Sequence, residues 1–355
     1  ANADIVLGQA DFTSATANRG ATVATGTLDT PFDVSSDGSK IYVADFTNNR
    51  VLIWNTTAPA NGANADIVLG LADFTSNSAI RGGAVAANTL ANPRGVYSDG
   101  SKIYVADSFN HRILIWNTTS PANGANADIV LGQADFTSGS ANRGGVAAGN
   151  SLSTPYHVSA DNSHIYVTDY DNNRVLIWNS TSPANGAAAD VVLGQSDFTG
   201  TSAGNPANML SGPLRTVSDN RNIYVSDNGN KRVLIYRTTS PASGRSADAL
   251  VGRSVFTDGT VYLTDQKTLS SPQGLAVAGG KLYVGDGSDD RVLRFDLTAA
   301  DPTISIDTAT PIAFGIGTIN IGVNWTTGAN YDFSEYAVYE HYTGKYVAAD
   351  ATLTS

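Results

Sequence analysis

Five copies of one unit constrain this chain more than any other feature. The unit reads Ile41-Tyr42-Val43-Ala44-Asp45-Phe46-Thr47-Asn48-Asn49-Arg50-Val51-Leu52-Ile53-Trp54 and returns at 103–116, 165–178, 223–236 and 282–295. Its aspartate stands at Asp45, Asp107, Asp169, Asp227 and Asp286, at intervals of 62, 62, 58 and 59 residues. A period of that size marks a repeat architecture rather than one irregular domain. Within the unit, two β-branched and aromatic runs flank a short polar loop, which predicts two antiparallel strands.

Two further elements keep the same period. The segment Ala3-Asp4-Ile5-Val6-Leu7-Gly8-Gln9-Ala10-Asp11-Phe12 recurs from Ala65, Ala127 and Ala189, and in weaker form from Ala247, as a short apolar run between polar flanks. Such a run predicts a short buried strand. Loops with Arg19-Gly20, Arg81-Gly82 and Arg143-Gly144 follow, and then a proline (Pro31, Pro93, Pro155, Pro213, Pro272) opens another strand, a position where the missing N–H is tolerated. That strand ends in turn pairs such as Asp37-Gly38 and Asp99-Gly100, which accept positive φ. Each repeat is thus a four-stranded meander, with strands a to d from inside outward, and tandem four-stranded units predict an all-β propeller. The first d segment precedes every a strand. The ring therefore closes if Asp4–Gly8 supplies the outer strand of the fifth blade, which would remove an exposed edge.

Pro-x-x-Val, Asp-Gly, Ile-Tyr-Val-Ala-Asp, Asn-Asn-Arg (Asn110-His111-Arg112 in the second copy) and Val-Leu-Ile-Trp together resemble the NHL-repeat family of propellers. The likeness covers residues 1 to about 297. The Val-Leu-Gly-Gln-x-Asp-Phe element is similar to that of secreted or surface proteins of prokaryotes, so the resemblance implies an extracellular or cell-surface place in such an organism. NHL propellers are commonly six-bladed. Five copies stand here, and both five and six blades remain open at this point.

Composition agrees with an all-β chain. There are 35 Gly, one Met and no Cys, and Glu occurs only as Glu335 and Glu340, so helix-favouring residues are scarce. The absence of Cys excludes a disulfide scaffold and thiol chemistry. A net charge of −11 with pI about 4.6 disfavours nucleic acid and anionic membrane, which need clustered cations. No apolar run approaches the roughly 20 residues that cross a bilayer, and Ala1 reads as a mature or trimmed start. Beyond Leu297 the repeat ends. Residues 298–355 alternate through Ile304-Ser305-Ile306, Ile319 to Trp325 and Tyr336-Ala337-Val338-Tyr339, similar to the first half of a fibronectin type III or immunoglobulin-like sandwich. Such a sandwich needs about seven strands over roughly 100 residues. The expectation is that the chain continues past Ser355 or that the missing strands come from elsewhere, including a neighbouring copy.

The recurring Asp45, Asp107, Asp169, Asp227 and Asp286, with Arg50, Arg112, Arg174, Arg232 and Arg291, are expected to close loops, because a role repeated in every blade is architectural. Calcium is a rival use of the Asp169-Tyr170-Asp171 and Asp286-to-Asp290 loops, although neither has the EF-hand spacing. The four His show no zinc pattern, and no metal or other cofactor is expected. Gly200-Thr201-Ser202-Ala203-Gly204 matches the nucleophile-elbow spelling but lacks the strand-turn-helix context. The copies disagree near the start of strand a. Asp33, His157 and Arg215 stand where copies two and five have Gly95 and Gly274, and Phe32, Arg94, Tyr156, Leu214 and Gln273 precede them. Strand a lines a propeller's axis, so Asp33, His157, Arg215, Tyr156 and Arg94 are the ligand-binding candidates. Asn55, Asn117, Asn179 and Asn324 begin glycosylation acceptor patterns.

The expected function is a non-catalytic binding or structural module at a cell surface or in a filament. Its partners would be proteins, glycans or copies of itself joined through the C-terminal segment. The alternative is an enzyme or sugar-binding propeller with a small-ligand site at the channel mouth.

Overall fold

In a computed structural model the described residues are 2–253, 255–257 and 266–297, together with four short strands beyond. The chain divides into a compact unit Ala1–Phe295 and a second unit Asp296–Ser355. The first unit is all-β, a five-bladed propeller whose blades follow the sequence repeat. Blade one comprises β1 (Pro31–Ser36), β2 (Ile41–Asp45), β3 (Arg50–Trp54) and β4 (Ile67–Leu69). Blade two has β5 (Pro93–Ser98), β6 (Ile103–Asp107), β7 (Arg112–Trp116) and β8 (Ile129–Leu131). Blade three has β9 (Pro155–Ala160), β10 (Ile165–Asp169), β11 (Arg174–Trp178) and β12 (Val191–Leu193). Blade four has β13 (Pro213–Ser218), β14 (Ile223–Asp227), β15 (Arg232–Tyr236) and β16 (Ala249–Val251), and blade five has β17 (Pro272–Ala278), β18 (Lys281–Asp286) and β19 (Arg291–Asp296).

Within a blade the strands are sequential and antiparallel. The second and third pair from Ile41 opposite Trp54 to Asp45 opposite Arg50, and blades two, three and four repeat that register. Alternation along these strands gives each blade two apolar faces. One face of blade one, with Tyr42, Ala44, Val51 and Ile53, packs on Val96, Ile103, Val105, Leu114 and Trp116 of blade two. The same layering joins blades two and three, and blades three and four. The core is therefore a stack of interblade layers around the axis.

Side-chain hydrogen bonds fasten the loops to these layers. Trp54 Nε1 donates to Ala63 O at 3.0 Å, and Trp116 and Trp178 do the same to Ala125 and Ala187. Tyr42 Oη donates to Asp37 Oδ2 at 2.6 Å across the hairpin, as Tyr104 does to Asp99. Asn49 lies in the left-handed region at φ 57°, a conformation that Asn tolerates, and its Oδ1 accepts the Asn92 N–H of the next blade at 2.8 Å. His111 has φ 53°, and its Nδ1 accepts the Thr154 N–H at 2.9 Å. The imidazole nitrogen thus replaces an amide oxygen as the interblade staple.

The fifth blade departs from the expectation of a closing fourth strand. Among the described residues β17, β18 and β19 form a three-stranded sheet. Asp4–Gly8 does stand where an outer strand stands. Val6 N–H donates to Asn61 Oδ1 at 3.0 Å and Val6 O accepts Gly62 N–H at 2.8 Å, the same pair of bonds that Val68 makes with Asn123 and Gly124. What it lacks is the ladder to β19. In the second unit, Ser305–Ile306 pairs with Val323–Asn324 and Val338–Tyr339 with Tyr346–Ala348. The expected fibronectin-like or immunoglobulin-like sandwich lies outside the described residues.

At the head of each blade the Asp and Arg meet as an ion pair. Arg112 Nε lies 2.8 Å from Asp107 Oδ2, and neither side chain is exposed. The guanidinium also donates to the carbonyls of Phe136, Ala86 and Thr89. Losing one member of a buried pair strands the other charge and costs about 3–5 kcal/mol. Arg112→Met is therefore expected to lower unfolding free energy by about that amount. Asp107→Asn combined with it should cost less than the sum of the two single changes, as measured by chemical denaturation.

Candidate functional site

The first strand of every blade carries a β-bulge. In blade one the register shifts between Pro31 and Asp33, and blades two to five repeat the shift. A bulge leaves one residue unpaired and re-aims its side chain. The bulged residues are Phe32, Arg94, Tyr156, Leu214 and Gln273, and the next residues are Asp33, Gly95, His157, Arg215 and Gly274.

Three of the latter gather across the axis. Arg215 Nη2 donates to Asp33 Oδ1 in a short charged hydrogen bond. Asp33 also accepts the N–H groups of Val34 and Val96, at 2.9 Å and 3.0 Å. Burial pushes the Asp33 carboxyl up from its ordinary range while Arg215 and these N–H groups pull it back. His157 is buried, with Nε2 3.9 Å from Asp33 Oδ2 and Nδ1 lacking a hydrogen-bond partner. Burial and then the Arg215 cation hold it well below its ordinary value, so the ring is neutral. Gly95 is required beside this cluster, since a Cβ there would come within 2.9 Å of His157 Cα. Asp33 and His157 are thus buried at the centre, whereas Arg215 is partly exposed and, with Asp33, lines a cavity of about 620 Å³.

Arg94 and Tyr156 belong to a second cluster. The Arg94 Cζ lies 4.0 Å from the Tyr156 ring centroid and 5.6, 5.3 and 5.4 Å from those of Phe32, Phe46 and Phe109. Tyr156 in turn stacks on Tyr170 with centroids 4.2 Å apart. Arg94 Nε and Nη1 are buried without hydrogen-bond partners, so the rings satisfy the cation only through their π faces. Phe32 is 46% exposed and Phe109 52%, which makes the cluster an aromatic collar open on one side. Phe46, Phe109 and Tyr170 were not among the sequence candidates. The signal that could have found them is an aromatic residue one or two positions after the loop-closing Asp in three of the five copies.

The recurring Asp and Arg residues lie elsewhere, within the blades. Arg50–Asp45, Arg174–Asp169 and Arg232–Asp227 pair at 2.8, 2.7 and 2.7 Å, and Arg291–Asp286 at 3.2 Å. Burial pushes Asp45, Asp107 and Asp169 upward, and Asp227 to about 6, against the pull of the guanidinium and amide donors. In the loop weighed for calcium, Asp169 is held by Arg174, Asn172 and Ser153 N–H, while Asp171 accepts the Thr154 hydroxyl. Among the described residues no three His, Asp or Glu side chains converge as metal donors. Asn55, Asn117 and Asn179 are exposed at equivalent connections, and the Asn324 side chain lies outside the described residues.

The sequence matches no protein-family model and no curated protein. Among solved structures the chain is similar to one in a crystal structure of a nidogen/laminin complex, at 15% identity and a TM-score of 0.44, over 76% of this chain and 77% of that one.

Because His157 resists protonation in the folded state and the unfolded chain takes up the proton near 6.5, stability is lost as pH falls from about 6.5. Each unit of depression is worth about 1.4 kcal/mol. The fall in melting temperature between pH 7 and pH 5 should be smaller in His157→Gln by roughly 2 °C or more, as measured by scanning calorimetry.

Proposed function

We propose that this propeller is a non-catalytic protein-binding module whose contact surface is the aromatic collar around Arg94. The observation that supports this reading is the pairing of exposed Phe32 and Phe109 with a guanidinium whose Nε and Nη1 have no acceptor. Aromatic residues and Arg are the side chains over-represented where binding energy concentrates. A partner segment that presents apolar side chains around one carboxylate fits the collar, because the carboxylate supplies the acceptor that the rings cannot. The NHL resemblance and the prokaryotic extracellular setting it implies belong to the same reading. Among the described residues no helix is long and apolar enough to cross a membrane. Asp33 and His157, the groups that an enzyme would use at the mouth, are committed to Arg215 and to burial, so the proposal rests on the collar instead.

The test is a peptide-display selection on the full chain, followed by titration of the enriched peptides. The selected peptides should carry Asp or Glu among aromatic or aliphatic residues. The double change Phe32→Ser with Phe109→Ser should weaken them at least tenfold, about 1.4 kcal/mol, with the melting temperature unchanged. Equal affinity for the double variant, or failure to enrich any peptide, would contradict the reading.

A further inference from the structure

The cavity beside Arg215 is bounded by the first two strands of blade one and the first two of blade five. Its volume of about 620 Å³ falls within the roughly 300–1,000 Å³ of small-molecule sites. Most of its lining is apolar, including Ile5, Leu7, Val34 and Leu275, and the polar side chains that reach it are those of Asp33, Arg215 and Tyr283. Val34 is 64% exposed, whereas its counterpart Val96 is buried, so the cavity leaves uncovered an apolar surface that other blades cover.

Two glycines in that lining are asked for neither by packing nor by the backbone. Gly274 and Gly285 are paired across β17 and β18, where the other blades have Asp33–Ala44, Gly95–Ala106, His157–Thr168 and Arg215–Ser226. The bulge beside Gly274 does not require glycine, because Asp33, His157 and Arg215 stand at the same bulge. Neither glycine has a positive φ. Among the described residues a Cβ on Gly274 would meet only Gly285 N, at 4.0 Å, and one on Gly285 only the Gly274 backbone, at 3.5 Å or more. A glycine inside a strand often marks a place where a ligand or another backbone comes close, and here no described backbone does so. The pair keeps one wall of the cavity open.

The polar groups select what enters. The Asp33 oxygens are already used, Oδ1 by Arg215 and the Val34 N–H and Oδ2 by the Val96 N–H. Arg215 Nε and Nη1, by contrast, make no hydrogen bond among the described residues, and the side chain is 22% exposed. The Tyr283 hydroxyl makes none there either. Its counterparts Tyr42, Tyr104, Tyr166 and Tyr224 donate to Asp37, Asp99, Asp161 and Asp219, whereas the fifth hairpin, Ala278-Gly279-Gly280-Lys281, has no carboxylate. The site thus offers donors and is short of acceptors. Its charge is balanced, since Asp33 neutralises Arg215. An anion would give up its water for a cation already shared, while an uncharged oxygen costs much less to bury.

We propose that this cavity binds an uncharged, largely apolar small molecule that presents one carbonyl or ether oxygen to Arg215. The apolar body lies along Gly274 and Gly285 and covers Val34, and its burial supplies most of the affinity. Arg215 supplies orientation, because it is the donor that Asp33 holds in place. The site stands apart from the aromatic collar and shares only Phe32 with it.

The probe is prodan, an uncharged naphthalene ketone whose emission reports the polarity around it, titrated into the full chain. It should bind with a blue-shifted emission, and more tightly than anilinonaphthalene sulfonate, an anion of similar size. Gly274→Val puts a side chain into the open space and suits a strand, so it should weaken prodan roughly tenfold or more without lowering the melting temperature. Arg215→Lys keeps a cation beside Asp33 but loses the open guanidinium edge, and should weaken prodan by about fivefold, the worth of one hydrogen bond. Phe109→Ser, in the collar alone, should change nothing. Refusal of prodan, as when a segment of the chain itself fills the space, would overturn the proposal. So would tighter binding of the sulfonate, equal affinity in Gly274→Val, or loss of binding in Phe109→Ser, which would assign the dye to the collar.

Discussion

The ion pair between the Asp at the end of the second strand and the Arg at the start of the third is the contact on which the rest of each blade depends. One carboxylate oxygen takes the Arg; the other takes a backbone N–H sixteen residues upstream, such as Ala91 for Asp107 or Ser153 for Asp169. The guanidinium then reaches carbonyls in the loops on either side of the blade. In this way a single buried pair ties the hairpin, the loop before it and the loop after it into one body. Its desolvation cost is offset only because nearly every donor and acceptor is used, which is why removing one member is expected to be costly while the pair itself adds little net stability.

With the loops fastened in that way, the bulged residues at the channel mouth are free to differ. The bulge aims them outward at a fixed place and the hub holds the backbone beneath them, so Phe32, Arg94, Tyr156, Leu214 and Gln273 can vary without strain. Three of the five, with the aromatic residues of the neighbouring loops, build the collar. The Asp33, His157 and Arg215 cluster lies one residue further along the strand and is turned inward, where it joins blades one, three and four across the axis. Recognition and axial cohesion are thus assigned to adjacent positions of one strand by its bulge.

Much of this was legible in the residues alone. The period of the Asp residues predicted the blades, and the recurrence of both charges in every copy predicted an architectural pair, because a ligand site has no reason to be repeated five times. The collar was half legible. Arg94 and Tyr156 stand out by differing from their counterparts, but Phe46, Phe109 and Tyr170 come from loops that only ring formation brings to them. The role of His111 was hidden because it depends on a left-handed backbone and on an N–H of the next blade. At the seam, Asp4–Gly8 spells an outer strand correctly and sits against blade one as one does. Strand spelling alone does not show, however, that among the described residues β17, β18 and β19 form a three-stranded sheet without it.

Amide hydrogen exchange on the full chain tests the central claim most directly, since protection reports how firmly each N–H is held. The N–H groups of Ala91, Ser153 and Ser211, which lie outside the strands but donate to hub carboxylates at 2.7 Å, should exchange as slowly as those of the central strands. If they exchange at the rate of the exposed turns, the Asp–Arg pairs do not hold the blades together.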